Sequence, residues 1–329
     1  MSRVYEALQR SQGENPSASP LVPGHPEAVP VEDSAVVAAA TAVDIPAREP
    51  ASAPANVPTL SSAELSTDGL TDAKCLHVPA DRVLHPHPTP EQRLVSLAEP
   101  DSAGAEMFRV LSTRLAHMQA KRRLQKLLIT SSEGDEGKSV VSVNLALALA
   151  RRPNQRTLLI EADLRRPTAS SLLSSSPLPG ITDWSEGKLA LDDALYQVGD
   201  LPLWFLSAGR GIDEPMPLLE SGRFAKMLEA VSSSFDWVLL DATPMLPMAD
   251  STSLSRLCDG VLVVVREGHT RRKVLNKALA SIEQNKLLGM VFNEASMLKV
   301  GYDRYYGSKY GKQKKEPKDE ADKVKAASA

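Results

Sequence analysis

Residues 126–143, KLLITSSEGDEGKSVVSV, constrain the fold more than any other stretch of the chain: an apolar run ends in a glycine-interrupted loop that opens directly into a helix. A short run without polar alternation fits a strand buried on both faces, which requires a parallel sheet covered by helices. In such a loop, main-chain N–H groups curl around phosphate oxygens while the helix N-terminus adds partial positive charge. Gly134 and Gly137 allow close approach of the backbone. Lys138 reaches terminal phosphates, and the Ser139 hydroxyl can ligate Mg²⁺. Asp135, Glu136 and Val140 complete the expected nucleotide-binding loop. Its one departure from GxxxxGK[ST] is Ser132, which stands where the first glycine would be.

The pattern repeats downstream. Apolar runs at 157–162, 203–208, 236–241, 260–265 and 287–292 alternate with helical patterns at 102–121, 139–151, 221–233 and 271–284. The expected fold is therefore α/β, a parallel β-sheet with helices on both faces. Glu161 and Asp163 close one strand and Asp241 closes another. Such folds bind ligands at the carboxyl ends of their strands, so these carboxylates should converge on the loop, where Asp241 can hold Mg²⁺ directly or through water. Asn293 ends the last strand.

Composition divides the chain. Thirteen of the 24 prolines lie between Gly13 and Pro90, among Ala, Ser and Val with almost no aromatics. Such a segment cannot bury enough apolar area to offset the entropy of ordering it, so residues 13–91 are expected to be a disordered linker. It separates a short amphipathic helix (1–12) from a domain over 92–300, followed by a flexible tail over 301–329. The net charge of −3 offers no general attraction to nucleic acid. Two cysteines, Cys75 and Cys258, leave no disulfide framework, and no segment approaches the roughly 18 apolar residues of a membrane span. A cytoplasmic protein is expected, with any membrane role supplied by a partner.

The combination of EGDEGKS, LLIEADLRRP, DWVLLDATPMLPMAD and DGVLVVVREGHTRR resembles the bacterial tyrosine kinases of capsule and exopolysaccharide export, the BY-kinases. The likeness covers roughly residues 92–310 and implies a MinD-like P-loop NTPase fold. It matches a Walker A loop at 134–140, a Walker A′ motif at 158–165 and a Walker B motif at 238–241. It implies ATP and Mg²⁺ as cofactors, with Lys138, Glu161, Asp163 and Asp241 as catalytic residues, Ser139, Asp163 and Asp241 around the metal, and Asn293 at the family's contact to the adenine ring. Three departures stand out. Glu161 occupies the place of the first Walker A′ aspartate, with a carboxylate about 1.5 Å further out. DATP replaces DTPP after Walker B. The ring-forming motif ExxRxxR reads Glu106, Arg109, Ser112.

Four of the six tyrosines fall in GYDRYYGSKYG: Tyr302, Tyr305, Tyr306 and Tyr310. Their spacing fits neither helix nor strand, and the cluster resembles the C-terminal tyrosines that BY-kinases phosphorylate on themselves. An extended chain from Asn293 to Tyr310 spans about 55–60 Å. The radius of gyration of a 200-residue domain is only about 16–17 Å, so the tail can reach a second subunit. The resemblance implies an autokinase working with itself and with a transmembrane polysaccharide co-polymerase at the inner face of the membrane. Two alternatives stand beside it. One is an ATP-binding scaffold without kinase activity. The other is a positioning ATPase of the Soj/MinD group, disfavoured by Glu133, where those proteins carry a lysine.

Overall fold

The computed structural model describes residues 82–295, all within one compact unit. The N-terminal helix (1–12), most of the linker and the tyrosine tail lie outside the described residues. In chain order the elements are β1 (Val83–Leu84), α1 (Val95–Ala98), α2 (Ala103–Gln119), β2 (Lys126–Ser131), α3 (Lys138–Ala150) and β3 (Thr157–Glu161). Then come α4 (Ala169–Leu173), α5 (Ile181–Ser185), β4 (Leu195–Val198), β5 (Leu203–Leu206), α6 (Met216–Leu219) and α7 (Gly222–Ser232). The described chain ends with β6 (Trp237–Asp241), α8 (Asp250–Leu257), β7 (Gly260–Arg266), α9 (Arg272–Ala280) and β8 (Leu287–Asn293).

The eight strands form one sheet in the order β1-β4-β5-β3-β6-β2-β7-β8. Every pairing is parallel except β4 with β5. That antiparallel pair is where the structure departs from the all-parallel reading. It falls in a region whose four-residue strand LYQV shows no periodicity long enough to read.

Alternation along the buried strands sends successive side chains to opposite faces. Leu127, Ile129, Leu159, Leu239 and Leu262 pack with Phe108, Leu111 and Leu115 of α2 and with the almost wholly buried α3. Leu128, Leu158, Ile160, Leu240 and Val263 pack on the other face with Phe224, Met227 and Leu228 of α7 and Leu254 of α8. Cys258 is buried on this second side, and desolvation pushes its thiol up to about 12. It is packing, as its place between helix and strand suggests.

The described residues include 82–91, inside the stretch read as linker. Val83 and Leu84 pair with Gln197 and Val198, and Arg82 bridges Asp193 at 2.9 Å. Residues 93–98 are strapped across α3 by Asn144, whose amide donates to the Arg93 carbonyl (3.1 Å) and accepts from the Ser96 N–H (2.8 Å). A two-residue strand has no pattern to detect, and its proline-rich surroundings point the other way.

The ordering of the strands places the site. From β2 the chain crosses to β3 on one side of the sheet, while β7 and β8 lie on the other. The loop after β2 therefore sits at a topological switch point, where an open α/β sheet leaves a crevice.

Candidate functional site

The loop 132–137 joins the end of β2 to the first turn of α3 and is held from within by its own acid. Glu136 is buried. Its carboxylate accepts from the N–H groups of Ser132 (2.7 Å) and Glu133 (3.3 Å) and from the Thr270 hydroxyl. The side chain therefore serves the loop's shape, and only the main chain of Glu136 is left to a ligand. Gly137 has φ +84°, and a Cβ there would lie 2.1 Å from the Asn293 amide nitrogen. Glycine is required twice over, for the dihedral and for the close approach. Asn293 donates to the Glu136 carbonyl at 3.1 Å, so β8 is pinned to the loop. Asp135 also adopts a left-handed conformation, with φ +60°.

Lys138, Asp163 and Asp241 meet in front of this loop. The Lys138 ammonium pairs with Asp163 at 2.8 Å, and the other oxygen of Asp163 accepts from the Arg166 N–H at 3.0 Å. Burial pulls the Lys138 ammonium down. Asp241, Asp163 and Glu161 more than offset that, so its pKa lies above the ordinary lysine value. Asp241 is fully buried at the end of β6, between β2 and β3. Burial pushes its carboxyl upward, opposed by Lys138 and by the hydroxyls of Ser139 and Ser142. One oxygen accepts from Ser142 at 3.0 Å; the other, Oδ2, is buried with no partner among the described residues.

That orphaned oxygen tests the site for Mg²⁺. A buried carboxylate oxygen without a donor costs free energy unless something cationic meets it. The Asp241 carboxyl group neighbours the Ser139 hydroxyl and Asp163, a hard oxygen set of the kind Mg²⁺ takes together with phosphate oxygens. The residues fit the metal, and Ser139, Asp163 and Asp241 are the ones that would hold it.

Two cavities flank the loop and share Asp135, Gly137 and Val140. The first, about 470 Å³, runs from Lys138 and Ser139 past Asp163, Arg166 and Thr168 to Pro244, Leu246 and Met248. The second, about 360 Å³, lies between Arg93, Val95, Phe108 and Asn144 on one side and Arg266, Asn293 and Glu294 on the other. Two cavities on either side of a loop with phosphate-binding groups suit an elongated nucleotide with room left for an acceptor.

Glu161, expected among the catalytic carboxylates, is not brought to this cleft. It is buried behind the first cavity and accepts hydrogen bonds from Ser170 and Ala208. Burial raises its carboxyl, and those two N–H groups oppose the rise. Arg165 lines the first cavity but is committed to Asp250, at 2.7 and 3.3 Å. Ser112 is buried on the inner side of α2, donating to the Arg109 carbonyl at 2.8 Å. Glu106 and Arg109 pair with each other at 2.5 Å. Tyr302, Tyr305, Tyr306 and Tyr310 lie outside the described residues. Sequence reasoning missed Thr168, Arg166 and the ion-pair cluster of Arg93, Glu294 and Arg266. Arg166 and Arg266 fall inside quoted motif stretches, and Arg266 ends β7, but basic side chains there read as ordinary solvated charges; Thr168, Arg93 and Glu294 stand in no motif.

The family model described as "CobQ/CobB/MinD/ParA nucleotide binding domain" matches residues 127–297. Tyrosine-protein kinase YwqD of Bacillus subtilis is 28% identical over 221 residues, 67% of this chain and 93% of that protein. Tyrosine-protein kinase CpsD of Streptococcus pneumoniae is 32% identical over 166 residues, 49% of this chain and 73% of that protein. The chain belongs to the bacterial tyrosine kinases. The kinase domain of Escherichia coli tyrosine kinase ETK is similar in fold as well. It has a TM-score of 0.57 and 27% identity, covering 60% of this chain and 78% of that domain. The loop, Asp163 and Asp241, which carried the resemblance in the sequence, lie together around Lys138. Among the described residues, no helix is long and apolar enough to cross a membrane.

Proposed function

We propose that this BY-kinase is an ATP-dependent protein-tyrosine autokinase that phosphorylates its own C-terminal tyrosines between subunits. Through that reaction it regulates capsule or exopolysaccharide polymerisation and export. The observation that carries the reading is the meeting of Lys138, Asp163 and the orphaned Asp241 oxygen in one cleft, beside a loop built for phosphate.

Lys138 is paired with Asp163. An entering triphosphate competes for the ammonium, which moves to the terminal phosphate oxygens and leaves Asp163 free to face an acceptor. Mg²⁺, when bound, supplies charge neutralisation at the phosphates. Asp163 accepts the proton of the tyrosine hydroxyl as that oxygen attacks the γ-phosphorus, and the bond to the β-phosphate oxygen breaks. ADP leaves with its new charge balanced by Lys138. The apolar wall of Pro244, Leu246 and Met248 suits the ring of the incoming side chain.

The four tail tyrosines are the proposed acceptors. The proposed partners are a second copy of the chain and a transmembrane polysaccharide co-polymerase that recruits this protein to the inner membrane face. With Ser112 facing inward, a ring, if formed, lacks the last arginine of the family's motif and must rest on other contacts. Phosphate on the tail would change the charge of a segment rich in lysine. Lys138→Met tests the site. It removes the ammonium while leaving the loop backbone, and calorimetric titration with Mg-ATP should then show no binding heat. Micromolar affinity retained in the variant would overturn the assignment of the loop.

A further inference from the structure

Glu161 is the residue at which the chain departs most visibly from its family motif, and its surroundings give the departure a purpose. The side chain is completely buried at the end of β3. One carboxylate oxygen accepts from the Ser170 N–H at 2.9 Å and from the Ser170 hydroxyl at 3.3 Å. The other accepts from the Ala208 N–H at 3.1 Å and lies 3.5 Å from the Ser207 hydroxyl. The carboxylate therefore ties three segments together: the end of β3, the turn that enters α4, and the chain leaving β5.

The turn it holds carries Thr168 into the first cavity. The Thr168 and Ser139 hydroxyls are 2.6 Å apart. Ser139 is the loop hydroxyl suited to Mg²⁺, and a hydroxyl that ligates a cation through a lone pair must send its proton elsewhere. The Asp241 carboxylate also neighbours the Ser139 hydroxyl, but when that carboxylate faces the cation itself, Thr168 is the acceptor that remains. The reach of Glu161 matters here. An aspartate carboxylate would sit about 1.5 Å further back, too far to hold the N–H groups of both Ser170 and Ala208.

We infer that Glu161 is a positioning residue that holds the Thr168 hydroxyl against Ser139, and that Thr168 orients Ser139 toward Mg²⁺. This rests on the proposed nucleotide and metal site. It assigns Thr168 a role that no motif marks, and it takes Glu161 out of the set that touches the reacting atoms.

The test is a double-substitution cycle on the full chain, with Thr168→Val, Glu161→Asp and the combined variant. Thr168→Ser serves as the conservative rescue. ATP affinity is titrated calorimetrically with Mg²⁺ and again in chelator, and melting curves confirm that each variant folds. Partners that orient a metal ligand typically contribute about 10–100-fold. Thr168→Val and Glu161→Asp should therefore each reduce the Mg²⁺-dependent gain in ATP affinity by about tenfold or more, while Thr168→Ser restores it. The combined variant should be no worse than the weaker single by more than about twofold, because both changes break one relay.

Losses that multiply in the combined variant would overturn the inference, since Glu161 would then act on the site independently. An undiminished Mg²⁺-dependent gain in Thr168→Val would do the same. Thr168 is solvent-exposed, so that variant keeps the test decisive even if Glu161→Asp fails to fold. The readout uses only ATP and Mg²⁺. Absent tyrosine transfer by the unsubstituted chain would thus count against the proposed kinase reaction and leave the relay to be judged separately.

Discussion

At the scale of single residues, the site concentrates buried charge that the described residues only partly satisfy. Asp241 is buried with one oxygen unpartnered, and its carboxyl is pushed upward by that burial. A buried, incompletely satisfied carboxylate is destabilising, and replacing it with a neutral isostere commonly relieves the cost. Asp241→Asn is therefore expected to raise the melting temperature of the nucleotide-free protein by a few degrees, equivalent to about 1 kcal/mol. It should also abolish the Mg²⁺-dependent part of ATP binding. Thermal melting with and without Mg-ATP reads both effects. A variant that melts lower than the parent would mean that Lys138 fully compensates the carboxylate. Lys138 itself was legible from sequence because a lysine between a glycine and a helix has few other uses. The inward turn of Glu136 was not, because a carboxylate in a loop reads as solvated until its donors are known.

At the scale of elements, the central strands and long helices were legible and the edges were not. The pattern of β2, β3, β6 and β7 is a run of Leu, Ile and Val without polar breaks, and burial on both faces demands nothing else of a sequence. Helix α2 was readable from its apolar spacing, which the structure centres on Phe108, Leu111 and Leu115. By contrast, β1 has only two residues and owes its place to pairing with a strand more than a hundred positions away. Glu161 could be read as an acid at a strand end, but its partners Ser170 and Ala208 come from separate segments, so the direction of its carboxylate could not be read. The junction between loop and α3 also carries a prediction. Gly137→Ala forces a Cβ into a position with φ +84° and 2.1 Å from the Asn293 amide. The change should cost about 2 kcal/mol or more in stability and remove nucleotide binding. Denaturant unfolding monitored with and without ATP would check it. Unchanged stability would show that Asn293 can move away from the loop at little cost.

At the scale of the whole molecule, the account requires chemistry to pass between copies of the chain. The cleft is assembled from residues within 82–295, whereas the proposed acceptors Tyr302, Tyr305, Tyr306 and Tyr310 lie beyond them. A hydroxyl becomes a nucleophile only when a base stands about 3 Å away and the γ-phosphate is in line. Tyr196, buried in β4 with burial pushing its hydroxyl pKa upward, cannot present itself in that way. The most direct measurement mixes a full-length Lys138→Met chain, unable to bind ATP, with an active chain truncated after Ala295. Labelled ATP is then supplied under activating conditions, and mass spectrometry locates the phosphate. The account predicts label on the inactive full-length chain, at Tyr302, Tyr305, Tyr306 and Tyr310. Label confined to Tyr5, or no transfer at all, would contradict it.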